Sequence, residues 1–136
     1  MERLHVGLSA ERTLTVSDAH TAVQWGSGGV RVFSTPHMIA LMEGAAVDAV
    51  EPLLSDGLQT VGAMVNVEHR AATPVGARVR ARAELAEIVR RRLVFHVSAY
   101  DEAGLIGEGT HQRVVIDLER FMTRARQRLL PSPSSG

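Results

Sequence analysis

Apolar residues recur at every second position through much of the second half of this chain. Between Ala77 and Ile88, Val79, Ala81, Ala83 and Leu85 fall on one face, with Arg78, Arg80, Arg82 and Glu84 on the other. Such alternation marks a half-buried β-strand. Leu93, Phe95, Val97 and Ala99 continue it, "DEAG" (Asp101 to Gly104) reads as a hairpin turn, and a last strand runs from about Leu105 to Leu118. An earlier strand lies in "QTVGAMVNVEHR". There Val61, Ala63, Val65, Val67 and His69 share one face, and Gly62, Met64, Asn66, Glu68 and Arg70 the other.

The stretch from Phe33 to Val50 follows a different rhythm. Met38, Ile39, Leu41, Met42, Ala45, Ala46, Val47, Ala49 and Val50 would cover most of the circumference of a helix. A helix apolar nearly all round is a buried one. Thr35-Pro36 predicts its start, with Thr35 as the cap and Pro36 in the first helical position. Ser55-Asp56-Gly57 ends it after about Leu54. A short strand-like segment from Arg12 to Val16 comes before this helix, and the Arg-rich helix "ERFMTRARQRL" closes the order. The Gly-rich "WGSGG" (Trp25 to Gly29) is either a lid or a plain connector. One strand, a buried helix and four long antiparallel strands predict an α+β fold, a sheet wrapped around a central helix.

Composition narrows the function. At 136 residues the chain is expected to form one domain over residues 1–130, with the Pro/Ser/Gly-rich residues 131–136 as a disordered tail. Fifteen basic and fifteen acidic residues balance, so no global field favours nucleic acid. The absence of Cys removes disulfides, thiolate metal sites and cysteine nucleophiles. The start "MERLHVGLSAERTL" has no apolar core like that of a signal peptide, and no apolar run is long enough to cross a bilayer. A cytoplasmic protein without a membrane partner is expected.

Against this background Glu43 stands out, a carboxylate inside an apolar helix. Such a charge is costly unless it is paired, neutralised or used. His69 ends the apolar face of the strand that follows. If that face packs on the helix, the two enter one half-buried region and suit general-base activation of water. The plainer alternatives are a hydrogen-bonded core histidine and a glutamate paired with one of the arginines. Two ligands without a third make a weak metal site. Gly62 interrupts its strand, which implies a bulge or a close approach, and its N–H is a candidate oxyanion donor. Arg113, in "THQRVVI", either pairs with Glu43 or faces a substrate, whereas His111 reads as structural. Arg90 to Arg92 and the row Arg120, Arg124, Arg128 read as solvated surface.

Four pieces together resemble the hot-dog-fold thioesterases, most closely the fluoroacetyl-CoA thioesterase type: "VFSTPHMIALMEGAAV", "GAMVNVEHRAATPVG", "RLVFHVSAYD" and "IGEGTHQRVVIDLERF". The resemblance implies a Thr, Glu and His constellation at Thr35, Glu43 and His69. It puts an oxyanion-contacting glycine at Gly62 and a substrate-side arginine at Arg113. It further implies a homodimer with sheets joined side by side and thioester sites at the interface. The expected activity is hydrolysis of small acyl-CoA thioesters, with coenzyme A present only as part of the substrate. On one unbroken helix, Thr35 and Glu43 lie about 12 Å apart at 1.5 Å per residue. They either flank a substrate from two ends or meet across two chains. The family's Phe-bearing segment before the helix is here "WGSGGV", with one aromatic, which argues against strict fluoroacetyl selectivity. A hydratase is disfavoured because no Asp lies between Arg31 and Glu43. A non-catalytic acyl-CoA-binding module is the alternative.

Overall fold

The computed structural model describes residues 1–26 and 28–131. Of the tail expected to be disordered, residues 132–136 lie outside the described residues. The elements run β1 (Ser9–Thr15), α1 (Ala22–Trp25), α2 (Thr35–Val50), β2 (Leu58–His69), β3 (Arg78–Val89), β4 (Arg92–Asp101), β5 (Gly104–Asp117) and α3 (Leu118–Arg128). The strands form one antiparallel sheet in the order β1-β3-β4-β5-β2. The sheet wraps α2, as the alternation of the strands and the apolar girth of the helix predict. Val79, Ala81, Ala83 and Leu85 of β3 and Leu93, Phe95 and Ala99 of β4 are buried against Met38, Met42, Ala45 and Ala46. No helix among the described residues is long and apolar enough to cross a membrane.

The start of α2 differs from expectation in one respect. Its cap is Ser34, not Thr35: the Ser34 hydroxyl accepts from the His37 N–H at 3.2 Å. Ser34 keeps extended backbone while Thr35 is already helical, so only the serine side chain can reach back over the first turn. Thr35 is thereby released from capping. At the other end Pro52, which has no N–H to donate, closes the helix into a 3-10 turn over Glu51–Leu53.

The second difference lies in β2. The pairing of β2 with β5 shifts between Gly62 and Met64, so Ala63 is an extra residue. A bulge of this kind reverses which residues face inward. Gly62 stands opposite Arg113, and beyond the bulge Val65 stands opposite His111. Residues directly opposite share a face. The inward row is therefore Thr60, Gly62, Val65, Val67 and His69, and Val61 and Ala63 leave the face that period two alone assigns them.

The two edges of the sheet are unlike. β1 is the shorter edge, and its Arg12 reaches across α2 to Asp48, donating at 2.7 and 3.0 Å. Gly44 makes the crossing feasible, since a Cβ there would run into the Arg12 side chain. β2 forms the opposite edge, twelve residues long, with Gly62 to Asn66 exposed.

Candidate active site

The bulge, the released Thr35 and the open edge together define two polar clusters. At the start of α2 the Thr35 hydroxyl lies 2.8 Å from His69 Nδ1. His69 is the last residue of β2, and the buried Phe33 ring stands edge-on to it at 6.5 Å. Burial pushes the imidazole below its usual pKa, against a smaller opposing effect of the Ala71 backbone. His69 thus stays neutral near pH 7 and can take up a proton. Its Nε2 is buried and has no hydrogen-bond partner among the described residues. Buried polar atoms of this kind are uncommon in native proteins, and a catalytic role or a bound water is what ordinarily accounts for one. Thr35 and His69 open onto a cleft of about 230 Å³, which Ala22, Val32 and Phe33 also line.

The second cluster surrounds Glu43, two turns further along α2. Thr35, Ile39, Glu43 and Val47, four residues apart, form a row of the helix with no fully buried member, and Glu43 in it lies under the bulge of β2. Glu43 Oε2 lies 3.4 Å from Arg113 Nη1 and 4.0 Å from His111 Nε2. The side chain keeps 38% of its exposure, whereas Arg113 and His111 are buried. A Cβ on Gly62 would sit 2.9 Å from Glu43 Oε2 and 3.5 Å from Arg113 Nη1. A side chain here would displace the Glu43 carboxylate from its place against the strand backbone.

Of the two alternatives for Arg113, the structure displays pairing with Glu43. Within one chain it joins Thr35 to His69 and Glu43 to Arg113, and it makes no hydrogen bond or ion pair between Glu43 and His69. The half-buried region expected for Glu43 and His69 is thus two separate places along the helix. His111, expected to be structural, stands against the carboxylate. Its Nδ1 lies 2.8 Å from the Met64 carbonyl oxygen, to which it donates. Its Nε2 can then only accept, and Arg113 Nη1 donates to it at 3.2 Å. Burial is the main reason its pKa falls, and the neighbouring Arg113 adds to the fall. The available signal was spacing: on a strand, His111 and Arg113 point the same way. No group of residues suited to holding a metal occurs among the described residues.

This arrangement of sheet and helix has solved relatives. A hot-dog-like protein from Thermanaerovibrio acidaminovorans matches it with a TM-score of 0.89 at 23% identity, over 96% of this chain and 97% of its own, a likeness of fold. A solved structure of the fluoroacetyl-CoA thioesterase FlK matches with a TM-score of 0.86 at 37% identity, over 94% of this chain and 98% of that one. The class is that of the hot-dog-fold thioesterases, as the resemblance in the sequence implies.

Sequence comparison narrows the class to a family. The model of the FlK family, described as fluoroacetyl-CoA-specific thioesterase, matches residues 16–119. The fluoroacetyl-CoA thioesterase of Streptantibioticus cattleyicolor is 46% identical over 97 residues, 71% of this chain and 70% of that protein. The chain belongs to the fluoroacetyl-CoA thioesterase family.

Proposed function

We propose that this thioesterase hydrolyses small acyl-CoA thioesters, at sites shared by two copies of the chain, with no cofactor beyond the coenzyme A of the substrate. The observation that carries the reading is the position of the two clusters on β2. Gly62, with Glu43 beneath it, lies near the middle of the uncovered strand, seven residues before His69, which with Thr35 ends it. Antiparallel pairing of β2 with a second β2, about a two-fold axis midway between Gly62 and His69, sets the Gly62 of one against the His69 of the other. Each of the two sites then receives Glu43 from one protomer and Thr35 with His69 from its partner. Such a homodimer also covers the edge that would otherwise invite indiscriminate pairing. The reading places the enzyme in the cytoplasm and gives it no role on nucleic acid.

The chemistry asks for water activation and oxyanion stabilisation. Glu43 either takes a proton from water or attacks the thioester carbonyl itself. The new C–O bond converts the carbonyl to a tetrahedral oxyanion, which the Gly62 N–H faces. One such donor supplies roughly 10²–10³-fold in rate. Collapse breaks the C–S bond and releases a thiolate whose conjugate acid, like that of Cys, has a pKa near ~8.5, so departure needs little acid help. Where Glu43 attacked, the anhydride it now carries is cleaved by water, which releases the acid and restores the carboxylate. His69, aligned by Thr35, relays the proton, and Arg113 holds Glu43 by Oε2 as an accessory.

Replacing His69 by Ala is expected to lower kcat by roughly 10²-fold, the lower end of acid–base contributions, while KM changes little. Steady-state kinetics beside a thermal melt checks this. A lowered Tm with kcat retained would show His69 to be structural.

The acyl group itself is read by the cleft beside Thr35. Trp25 ends α1 and leans edge-on against His37 at 4.8 Å, but is 56% exposed and does not line that cleft. Gly26, in the left-handed region, turns the chain immediately after it. We infer a loose cover over the acyl pocket. One methylene in a pocket is worth only about 1–3 kcal/mol, so shape alone separates small acyl groups poorly. The test of the whole reading is kcat/KM for acetyl-, fluoroacetyl-, propionyl- and butyryl-CoA, with a thiol-reactive dye reporting free coenzyme A. Turnover of several of them is expected, with acetyl and fluoroacetyl within about 10²-fold of each other. No turnover of any would favour a binding module, and a preference of many thousand-fold for fluoroacetyl would refute the loose cover.

A further inference from the structure

We propose that Thr60 and Glu51 are positioning residues of the site: they hold the Arg113 guanidinium along one edge, so that it grips Glu43 through a single nitrogen and leaves Oε1 free to react. This rests on the assignment of Glu43 as base or nucleophile. An arginine beside a carboxylate ordinarily forms two parallel hydrogen bonds, one to each oxygen. Here that does not happen. Arg113 Nε donates to Thr60 Oγ1 at 2.8 Å and Nη2 donates to the Thr60 carbonyl oxygen at 3.0 Å, so one edge of the fork is filled by one residue. Nη1 is divided between His111 Nε2 at 3.2 Å and Glu43 Oε2 at 3.4 Å. Glu43 Oε1 has no hydrogen bond to any described residue.

Glu51 completes the restraint. Its Oε2 accepts from the Thr60 hydroxyl at 2.7 Å and from the Thr60 N–H at 3.1 Å. The hydroxyl's one proton is therefore committed to Glu51, which leaves its lone pairs for Arg113. Glu51 also gives the buried guanidinium a second negative charge, so the positive charge is not concentrated on Glu43. The groups facing Glu43 are thus Arg113 and His111 from β5, with Glu51 acting through Thr60. The other nearby guanidinium, Arg12 of β1, is occupied by Asp48. Removing the Thr60 hydroxyl leaves Arg113 Nε unsatisfied and free to rotate onto the carboxylate. A bidentate pair favours the ionised carboxylate and makes it a poorer base and nucleophile.

The test uses the full-length enzyme with Thr60→Val, Thr60→Ser, Glu51→Gln and Glu43→Gln, each followed by steady-state kinetics and a thermal melt. Thr60→Val is expected to lower kcat about tenfold while KM changes little. Thr60→Ser, which retains the hydroxyl, should restore kcat, and Glu51→Gln should lower kcat in the direction of Thr60→Val. Glu51→Gln also decides the matter if Thr60→Val fails to fold. A folded Thr60→Val enzyme with wild-type kcat, beside an inactive Glu43→Gln, would overturn this inference alone. So would a loss of kcat that Thr60→Ser does not rescue, which marks a structural defect. Wild-type turnover by Glu43→Gln would overturn the assignment beneath it and this inference together.

Discussion

Glu43→Gln should fold as the wild type does and lose ~10²–10⁴-fold in kcat, the range that a positioned proton acceptor contributes. The amide is nearly isosteric with the carboxylate and can still accept from Arg113 Nη1 through its oxygen, so the packing under Gly62 is preserved. What it loses is the ability to take a proton or to attack a carbonyl. The buried Arg113 loses one of its two compensating charges, but Glu51 retains the other through Thr60. A modest fall in Tm is therefore compatible with the assignment. Matched acyl-CoA kinetics and circular dichroism check the outcome. Near-wild-type turnover by the folded variant would remove Glu43 from the mechanism and favour a binding role for the site.

A second large effect should come from mixing two dead enzymes. Thr35→Val removes the hydroxyl that aligns His69, and Glu43→Gln removes the carboxylate. If each site draws Glu43 from one protomer and Thr35 from the other, a heterodimer of these variants has one doubly damaged site and one intact site. Random re-pairing makes half the dimers heterodimers, so specific activity should rise from near zero to about a quarter of wild type. Unfolding and refolding the two variants together, with each refolded alone as control, provides the measurement, and size-exclusion chromatography gives the assembly state. A dimer without recovery would mean that each chain supplies its own complete set. A monomer at micromolar concentration would overturn the shared site altogether.

The parts of this molecule that could be read from its sequence are those whose surroundings the chain itself provides. Val79 to Leu85 and Leu93 to Ala99 alternate cleanly because β3 and β4 are inner strands covered on one face by α2. Glu43 is conspicuous because it is a charge among Met, Leu and Ala, and its pairing with Arg113 is one of two alternatives that an arginine beside an apolar run allows. β2 was harder for a physical reason. As an edge strand with a bulge, it slips by one residue at Ala63, and period-two counting then assigns Val61 to the wrong face. Thr35 could not be separated from Ser34 as a cap, since either residue type serves and only the backbone angle decides. Thr60 and Glu51 carried no pattern at all. Their role comes from a hydrogen-bonded chain linking the end of α2, β2 and β5, and no local rule connects residues so far apart.

The contrast between the two sheet edges limits how these chains can associate. A strand that exposes its backbone at both ends of a sheet could add neighbours indefinitely, head to tail, and produce fibres. Here β1 is short, bears Glu11 and Arg12, and is strapped to α2 through Asp48. Charges and short length are the usual means of blunting an edge. That leaves β2 as the edge better suited to extend the sheet, and the proposed two-fold pairing would use it up on both partners at once. Association through strands would then be self-terminating: the contact that would complete the chemistry would also leave no sticky end.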